Sequence, residues 1–320
     1  MNTVANSSEN EIVLSGLSGG NLLAFLAALG TFRTLSLAMP AERIRMSWRP
    51  LGGAWRPVLC FRAAISAQLV LETVVGVFKP FQQSPDTHPA MLWRHWLSET
   101  VGRPDGFRRA IVEADTGPVT GPPAWLVGIG TDARLGGQED SDSAFRASRS
   151  DYLLGNLRNI VSTTTEGHLE KALFKPWEYD DPMDNLSLKF DASEDRRYAL
   201  QWSAPSGDPD RKKRGNMLGA NRLAIEAIPL FPTVVDGMRL ATTGFTGKRS
   251  AREFTWGLWD APVSLDTVRS LLALADLQRQ VPDHGRLRAL GVAAVYRCRR
   301  ETVGKTRIFT PACAVVSSAV

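Results

Sequence analysis

A predicted strand, turn and helix over residues 12–37 constrains the fold of this 320-residue chain more than any other feature. Residues 12–14 are apolar and predict a short buried strand, and Ser-Gly-Gly-Asn at 18–21 predicts a turn. Asn21 is a preferred N-cap for a helix over the apolar run 22–37. The small residues of this run would let another element approach closely; they are Ala24, Ala27, Ala28 and Gly30. A buried strand–turn–helix corner is therefore expected.

Further elements alternate between hairpins and helices. Two Trp-Arg-Pro segments flank Gly52-Gly53, which predicts a hairpin over 46–60 whose prolines favour edge strands. Residues 63–78 have helical periodicity, and Pro80 should end that helix. Shorter helices are expected over 91–97, 152–160 and 168–174, and a strand over 198–202. The predicted fold class is α+β, mixed, with hairpins and antiparallel sheet packed by helices.

Residues 102–147 are rich in glycine, proline and polar side chains, which is typical of a surface loop or of a segment ordered by a partner. The three cysteines, Cys60, Cys298 and Cys313, have no metal-ligand spacing and indicate a reducing cytoplasm. The four histidines form no HxxxH or HExxH pair, so neither a metal nor a cofactor is predicted. No basic leader precedes the apolar run, which is too short to cross a bilayer, so no membrane role is expected.

Charge divides the chain into two predicted regions. Residues 1–195 hold 18 Lys and Arg against 23 Asp and Glu, and form a net acidic N-terminal α+β region that includes the 102–147 loop. Residues 196–320 hold 20 against 10, and form a basic α+β region with strand hairpins. Such asymmetry favours a polyanionic partner for the C-terminal region, because net charge governs association rather than fold.

Three basic segments carry the predicted DNA-binding residues. They are Arg211, Lys212, Lys213, Arg214, Asn216, Asn221 and Arg222 in the first, Lys248, Arg249 and Arg252 in the second, and Arg297, Arg299, Lys305 and Arg307 in the third. In the first, Asn216 is expected to cap a helix that runs to residue 228, so that cations and free backbone N–H groups lie together. The second and third are expected to be hairpins, the third with its cations on one face. For the first segment, a solvated loop is the alternative.

The acidic stretch 177–195 supports a different hypothesis. Its seven carboxylates are Glu178, Asp180, Asp181, Asp184, Asp191, Glu194 and Asp195. Carboxylates in this number could hold Mg²⁺ and cleave phosphodiesters, which makes a metal-dependent nuclease an alternative. No catalytic histidine or lysine accompanies them, and motif-free carboxylate runs are usually solvated or paired with a basic partner. A protein that is not an enzyme is therefore favoured.

Residues 14–35, LSGLSGGNLLAFLAALGTFRTL, resemble the opening of large subunits of type I CRISPR effector complexes. In that family a short strand leads into a helix of the Asn-x-x-x-Phe-(Leu/Phe)-Ala-x-x-Gly type. The Trp-rich hairpin that follows, together with 216–221 and 242–247, resembles the shorter version of the subtype G branch, formerly subtype U. The resemblance covers most of the chain in order.

The resemblance implies a DNA-binding subunit at the end of a crRNA-bound filament. Such a subunit recognises the protospacer-adjacent motif in double-stranded target DNA, helps to open the duplex and helps to recruit the helicase–nuclease. No catalytic residue carries over from it. The implied partners are target DNA, the crRNA-bound filament subunits and the helicase–nuclease, in the cytoplasm. Two alternatives stay open, the nuclease and an adaptor whose basic loops meet an acidic protein.

Overall fold

The computed structural model describes residues 10–92, 112, 122–130, 143–145, 147, 150–182, 185–194, 215–237, 239–247, 252–303 and 306–317. Its α-helices are α1 (Leu22–Ala38), α2 (Ala67–Gln83), α3 (Pro122–Ile129), α4 (Ser150–Thr163), α5 (Glu166–Phe174), α6 (Leu218–Ile225), α7 (Leu265–Leu272) and α8 (His284–Ala289). Its strands are β1 (Glu11–Val13), β2 (Arg45–Leu51), β3 (Ala54–Cys60), β4 (Thr233–Asp236), β5 (Arg239–Thr242), β6 (Phe245–Thr246), β7 (Arg252–Trp259), β8 (Val292–Val303), β9 (Thr306–Phe309) and β10 (Cys313–Ser317).

The strands form three antiparallel sheets within these ranges. One has the order β1-β3-β2, a second has the order β10-β8-β7-β6 with β9 also paired to β8, and the third is the β4–β5 hairpin. Helices pack against these sheets, so the α+β fold class is confirmed. The helices predicted over 152–160 and 168–174 are confirmed as α4 and α5, and the two C-terminal hairpins as β6–β7 and β8–β9. The predicted strand 198–202 and most of the helix 91–97 lie outside the described residues.

The predicted strand–turn–helix corner is the centre of the fold. The Asn21 Oδ1 accepts a hydrogen bond from the Ala24 N–H at 3.0 Å, which caps α1 as expected. Every residue of α1 from Leu22 to Leu35 is buried, so this helix is surrounded by other elements. The backbone of α6 crosses it so closely that a Cβ added at Gly30 would lie 1.8 Å from the Leu223 carbonyl oxygen. Gly30 is therefore required by the contact between α1 and α6.

The hairpin over 46–60 forms, but only one of its strands lies at an edge. Gly52 and Gly53 turn it with φ of 60° and 75°, a conformation that favours glycine. The strand β3 is central, since β1 pairs with its other side, so the edge-strand prediction is wrong for β3. Pro57 is tolerated there because it lies opposite Leu14, just past the end of the three-residue β1, where its carbonyl accepts the Leu14 N–H at 2.9 Å.

Two further predictions need correction. Pro80 does not end α2, which continues to Gln83. Because proline has no N–H, the Gly76 carbonyl lacks its helical donor, but Gly76 is exposed and its carbonyl can bond water. The stretch 102–147 is not all surface loop, because α3 lies within it and buries Trp125. The glycines and prolines there suggested a loop, whereas Gly128 lets α3 pack against the Ile228 carbonyl, 2.9 Å from a Cβ built at that glycine.

One hydrophobic cluster connects residues from Leu14 to Phe309 across the described chain. It includes α1 and β3 from the acidic region and α6, β7 and β8 from the basic region. The change of charge near residue 195 is therefore not a boundary between separate cores among the residues described. A smaller cluster lies on the other side of the five-stranded sheet and consists of Leu277, Leu287, Val292 and Val295.

A buried ionic network joins three parts of this core. The Glu226 carboxylate follows α6 and accepts hydrogen bonds from Arg222 Nη1 at 2.6 Å, His88 Nε2 at 2.9 Å and Arg33 Nη1 at 3.4 Å. All four residues are less than 9% exposed. The Arg222 guanidinium also lies 3.6 Å from the centre of the Phe78 ring on α2. Burial opposes ionisation of Glu226, but Arg222, His88 and Arg33 outweigh it and hold the pKa of that carboxyl below its ordinary value.

We predict that Glu226→Gln destabilises the protein by roughly 3–5 kcal/mol, the usual cost of leaving buried charges without their partner. Urea denaturation followed by circular dichroism measures the loss. Glu170→Gln is the matched control, because Glu170 pairs with Lys175 at the surface, where both side chains are about half exposed. The control should change stability by less than about 1 kcal/mol. Equal effects of the two substitutions would contradict a structural role for the network.

His88 predicts a loss of stability in acid. Burial lowers the pKa of His88, with Glu226 opposing, and the Ala90 N–H donates to Nδ1 at 3.1 Å, so the ring is held neutral with its proton on Nε2. As pH falls through the ordinary histidine pKa of about 6.5, the unfolded chain binds this proton more readily than the folded chain, so the free energy of unfolding falls as pH falls. Denaturation between pH 5 and 7 should show a steeper slope for the wild type than for His88→Asn, and identical slopes would contradict the assignment.

Candidate nucleic-acid interface

The structure describes seven of the predicted DNA-binding residues. Arg211, Lys212, Lys213, Arg214, Lys248, Arg249 and Lys305 lie outside the described residues. The others are Asn216, Asn221, Arg222, Arg252, Arg297, Arg299 and Arg307. They divide into buried side chains, side chains on the inner face of the five-stranded sheet and side chains on its outer face.

Asn216 holds two backbone segments together inside the protein. Its Nδ2 donates to the carbonyls of Pro182 at 2.7 Å and Leu186 at 3.0 Å, and its side chain is buried. It does not cap the following helix as predicted. That helix begins at Leu218, whose N–H donates to the Asp181 Oδ2 at 2.8 Å, so the carboxylate takes the capping role.

Asn221 and Arg222 are also unable to reach a nucleic acid. Asn221 is completely buried; its Oδ1 accepts the Leu188 N–H at 2.9 Å and its Nδ2 donates to the Met217 carbonyl at 3.2 Å. Arg222 belongs to the Glu226 network. The prediction that Asn216, Asn221 and Arg222 contact DNA is therefore corrected. Their residue types suggested contacts with bases, but their burial becomes visible only once the packing of α6 is known.

The cations of the third segment do not share one face. In the β7–β8 ladder Glu253 lies opposite Arg299, and Arg252 lies opposite Arg300. In the β8–β9 ladder Thr302 lies opposite Arg307. Since side chains alternate along a strand, Arg297 and Arg299 point to one face, whereas Arg252 and Arg307 point to the other. The prediction of a single face is wrong because crossing the hairpin shifts the alternation by one residue.

Arg297 serves mainly to position its neighbours. Its Nε donates to the Thr255 Oγ1 at 2.8 Å, and its Nη1 and Nη2 donate to the carbonyls of Gln280 at 3.1 Å and Arg279 at 2.6 Å. Only 13% of this side chain is exposed. It therefore fixes the segment around Arg279 against the outer face of the sheet.

This anchoring places four arginines in a connected series, which we call the arginine row: Arg286, Arg279, Arg297 and Arg299. Asp276 lies between the first two, 2.8 Å from Arg286 Nε and 3.1 Å from Arg279 Nη2. Glu253 lies between the last two, 3.8 Å from Arg297 Nη1 and 3.6 Å from Arg299 Nη2. The side chains of Arg279, Arg286 and Arg299 are 56%, 62% and 55% exposed, so three guanidinium groups face solvent.

The row has positive charge available for phosphate contacts, since four arginines face two carboxylates. The Asp276 side chain is only 10% exposed, so its pairs with Arg279 and Arg286 are part of the fold. The pairs of Glu253 are more exposed and contribute about 0–1 kcal/mol each. Guanidinium groups bind phosphate oxygens through paired, charge-assisted hydrogen bonds. The arrangement therefore suits the backbone of a nucleic acid and carries no base-specific geometry by itself.

The small second core holds this surface in place. Leu287 of α8 packs with Leu277, Val292 and Val295 on the outer face of β8, and the Asp283 Oδ1 caps α8 by accepting the Arg286 N–H at 3.0 Å. Sequence analysis missed Arg279 and Arg286 because a Val-Pro-Asp loop separates them and they meet only through Asp276. The density of basic residues over 279–288 was the available signal.

Two carboxylates of the acidic stretch, Asp180 and Asp191, are part of the scaffold. Asp180 pairs with Lys171 Nζ at 2.8 Å, and Asp191 accepts hydrogen bonds from Asn21 at 3.2 Å and from the Tyr179 hydroxyl at 2.9 Å. In the described part of the chain no three His, Cys, Asp or Glu side chains lie close enough to hold a metal ion. These carboxylates thus have structural partners, and Asp184 and Asp195 lie outside the described residues.

Comparison of the chain with models of known families, with curated proteins and with solved structures finds no match. Within the described ranges, every helix is too short or too polar to pass through a lipid bilayer.

We predict that Asn221→Ala weakens folding but not nucleic-acid binding. Loss of the side chain leaves the buried Leu188 N–H unsatisfied, which costs roughly 1–3 kcal/mol. Asn159→Ala on the partly exposed part of α4 is the control. Urea denaturation should separate the two variants, while the affinity of the folded Asn221→Ala protein for DNA should equal that of the wild type. A selective loss of affinity would return Asn221 to the interface.

Proposed function

We propose that the chain is the DNA-binding large subunit of a crRNA-guided CRISPR interference complex. In this role it recognises the protospacer-adjacent motif, helps to open the target duplex and helps to recruit the helicase–nuclease. The crRNA-bound filament subunits are its partners, and the complex acts in the cytoplasm. The chain contributes binding rather than a catalytic centre of its own.

The arginine row is the observation that carries the nucleic-acid part of this proposal. Three exposed guanidinium groups lie on one surface, and Arg297 anchors the backbone from which one of them projects. A positively charged surface of this kind supplies the sequence-independent contacts that orient a duplex. The row lies in the basic part of the chain, and its two carboxylates do not neutralise its four arginines.

The assignment to a CRISPR complex rests on the resemblance of residues 14–35 and on the segments that follow. The Asn21 cap, the buried face of α1 and the close contact at Gly30 give physical reasons for the residues in that motif. These reasons concern the fold of the subunit, so its place in a complex requires a direct test.

We predict that Arg279→Ala/Arg286→Ala/Arg299→Ala weakens binding to a short DNA duplex and flattens its dependence on salt. If each arginine contacts one phosphate, the logarithmic salt slope should fall by up to about 2.7, at about 0.9 per contact. Fluorescence anisotropy over a salt series measures both quantities. An unchanged slope would remove the row from the interface.

A charge-matched control separates position from net charge. Lys79, Arg158 and Lys175 are exposed and lie on or beside α2, α4 and α5. Substitution of all three by alanine removes the same charge, yet the duplex affinity should stay close to that of the wild type. Equal losses in the two triple variants would indicate non-specific attraction only.

The place of the chain in a complex is tested by purification with its neighbours. The tagged full-length chain, isolated from its own cells, should retain a short RNA and filament subunits. The row variant should retain both and lose target DNA. Recovery of an acidic protein partner without RNA would support the adaptor alternative instead.

A further inference from the structure

An open concavity lies beside the end of the β2–β3 hairpin that is remote from its turn. Its volume is about 550 Å³, and it is lined by Glu42, Arg43, Arg45, Cys60, Phe61 and Arg62. Four of these six residues are charged. Small-molecule sites are mostly apolar, so this lining suits a charged group that stays in contact with solvent.

Three arginines at this concavity have no partner among the described residues. The guanidinium groups of Arg43, Arg45 and Arg62 make no hydrogen bond or ion pair within the described part of the chain. Each of the three residues is exposed. By contrast, the exposed Arg279, Arg286 and Arg299 each have a carboxylate within 4 Å.

The nearby carboxylates are occupied by other groups. The Glu42 Oε2 accepts the Ala63 N–H at 3.1 Å. Both oxygens of Glu11 accept hydrogen bonds from Arg49, each at 2.6 Å. The concavity therefore carries three positive charges against the single negative charge of Glu42, and this excess favours an external anion.

The Cys60 thiol in the lining is not an activated nucleophile. Burial, aided by Glu11, raises the pKa of Cys60 to about 11, so the group is a neutral thiol near pH 7. Its Sγ lies 3.7 Å from the Glu11 Oε1, to which it donates. The concavity is thus a binding surface rather than a nucleophilic centre.

The concavity belongs to a different sheet from the arginine row. Arg45 begins β2, whereas Arg299 lies on β8 of the five-stranded sheet. The two sheets are linked at Met46 of β2, whose carbonyl accepts a hydrogen bond from the Trp259 Nε1 of β7 at 2.7 Å. A ligand at the concavity therefore contacts a second surface of the same rigid core.

We propose that Arg43, Arg45 and Arg62 bind phosphate groups of a nucleic-acid strand at this concavity, as a second contact in addition to the arginine row. Guanidinium groups recognise phosphate oxygens through their fixed arrangement of N–H donors. Three of them around an open surface fit a phosphodiester backbone that enters and leaves the site. Their exposure and lack of internal partners mean that binding a phosphate breaks no existing ion pair.

The test uses the full-length chain and three probes of one sequence: single-stranded RNA, single-stranded DNA and duplex DNA. The variant Arg43→Ala/Arg45→Ala/Arg62→Ala should lose at least tenfold in affinity for one or more probes. For a single strand the salt slope should fall by about 2, at about 0.7 per contact. The thermal midpoint should not change, because the three side chains have no internal partners, and the probe most affected identifies the strand.

The control variant Lys79→Ala/Arg158→Ala/Lys175→Ala should bind all three probes as the wild type does. The proposal is overturned if the two variants lose affinity equally, if the concavity variant loses none, or if the wild type binds none of the probes. Loss of duplex binding in the row variant, with no loss of affinity for any probe in the concavity variant, would overturn this site and leave the proposed function standing. If the concavity variant loses RNA binding and the wild type does not bind duplex DNA, this site would be supported and the proposed function contradicted.

Discussion

The packing of the protein depends on the buried carboxylate of Glu226. It joins Arg33 of α1, Arg222 of α6 and His88 of the turn after α2 in one network. Both arginines are buried charges, so loss of the Glu226 carboxylate would leave them unpaired in the core at a high cost. Because α1 and α6 are already in backbone contact at Gly30, the network fixes their relative position as well as their proximity.

This core determines which polar groups reach the surface. The side chains of α6 that resemble base-reading residues are directed inward, whereas arginines on β8, on α8 and beside the β2–β3 hairpin stay accessible. The two exposed groups differ in their internal pairing. The arginine row shares Asp276 and Glu253, while the concavity arginines have no such partners among the residues described.

Local signals predicted local structure well. The Asn21 cap, the Gly52-Gly53 turn and the two C-terminal hairpins follow from rules of capping, turns and alternation, and they form. Side-chain location was predicted less well because it depends on contacts between distant segments. The burial of Asn221 depends on Leu188, and the meeting of Arg279 and Arg286 depends on Asp276. Neither is encoded by spacing along the chain.

The central claim is that exposed arginines at two defined surfaces hold nucleic acid while those of the core do not. Arginine-selective modification of the full-length chain, with and without bound nucleic acid and quantified by mass spectrometry, tests it directly. Bound nucleic acid should protect Arg43, Arg45, Arg62, Arg279, Arg286 and Arg299, and should leave the exposed Arg158 as reactive as before. Equal protection of Arg158, or no protection at either surface, would contradict the account.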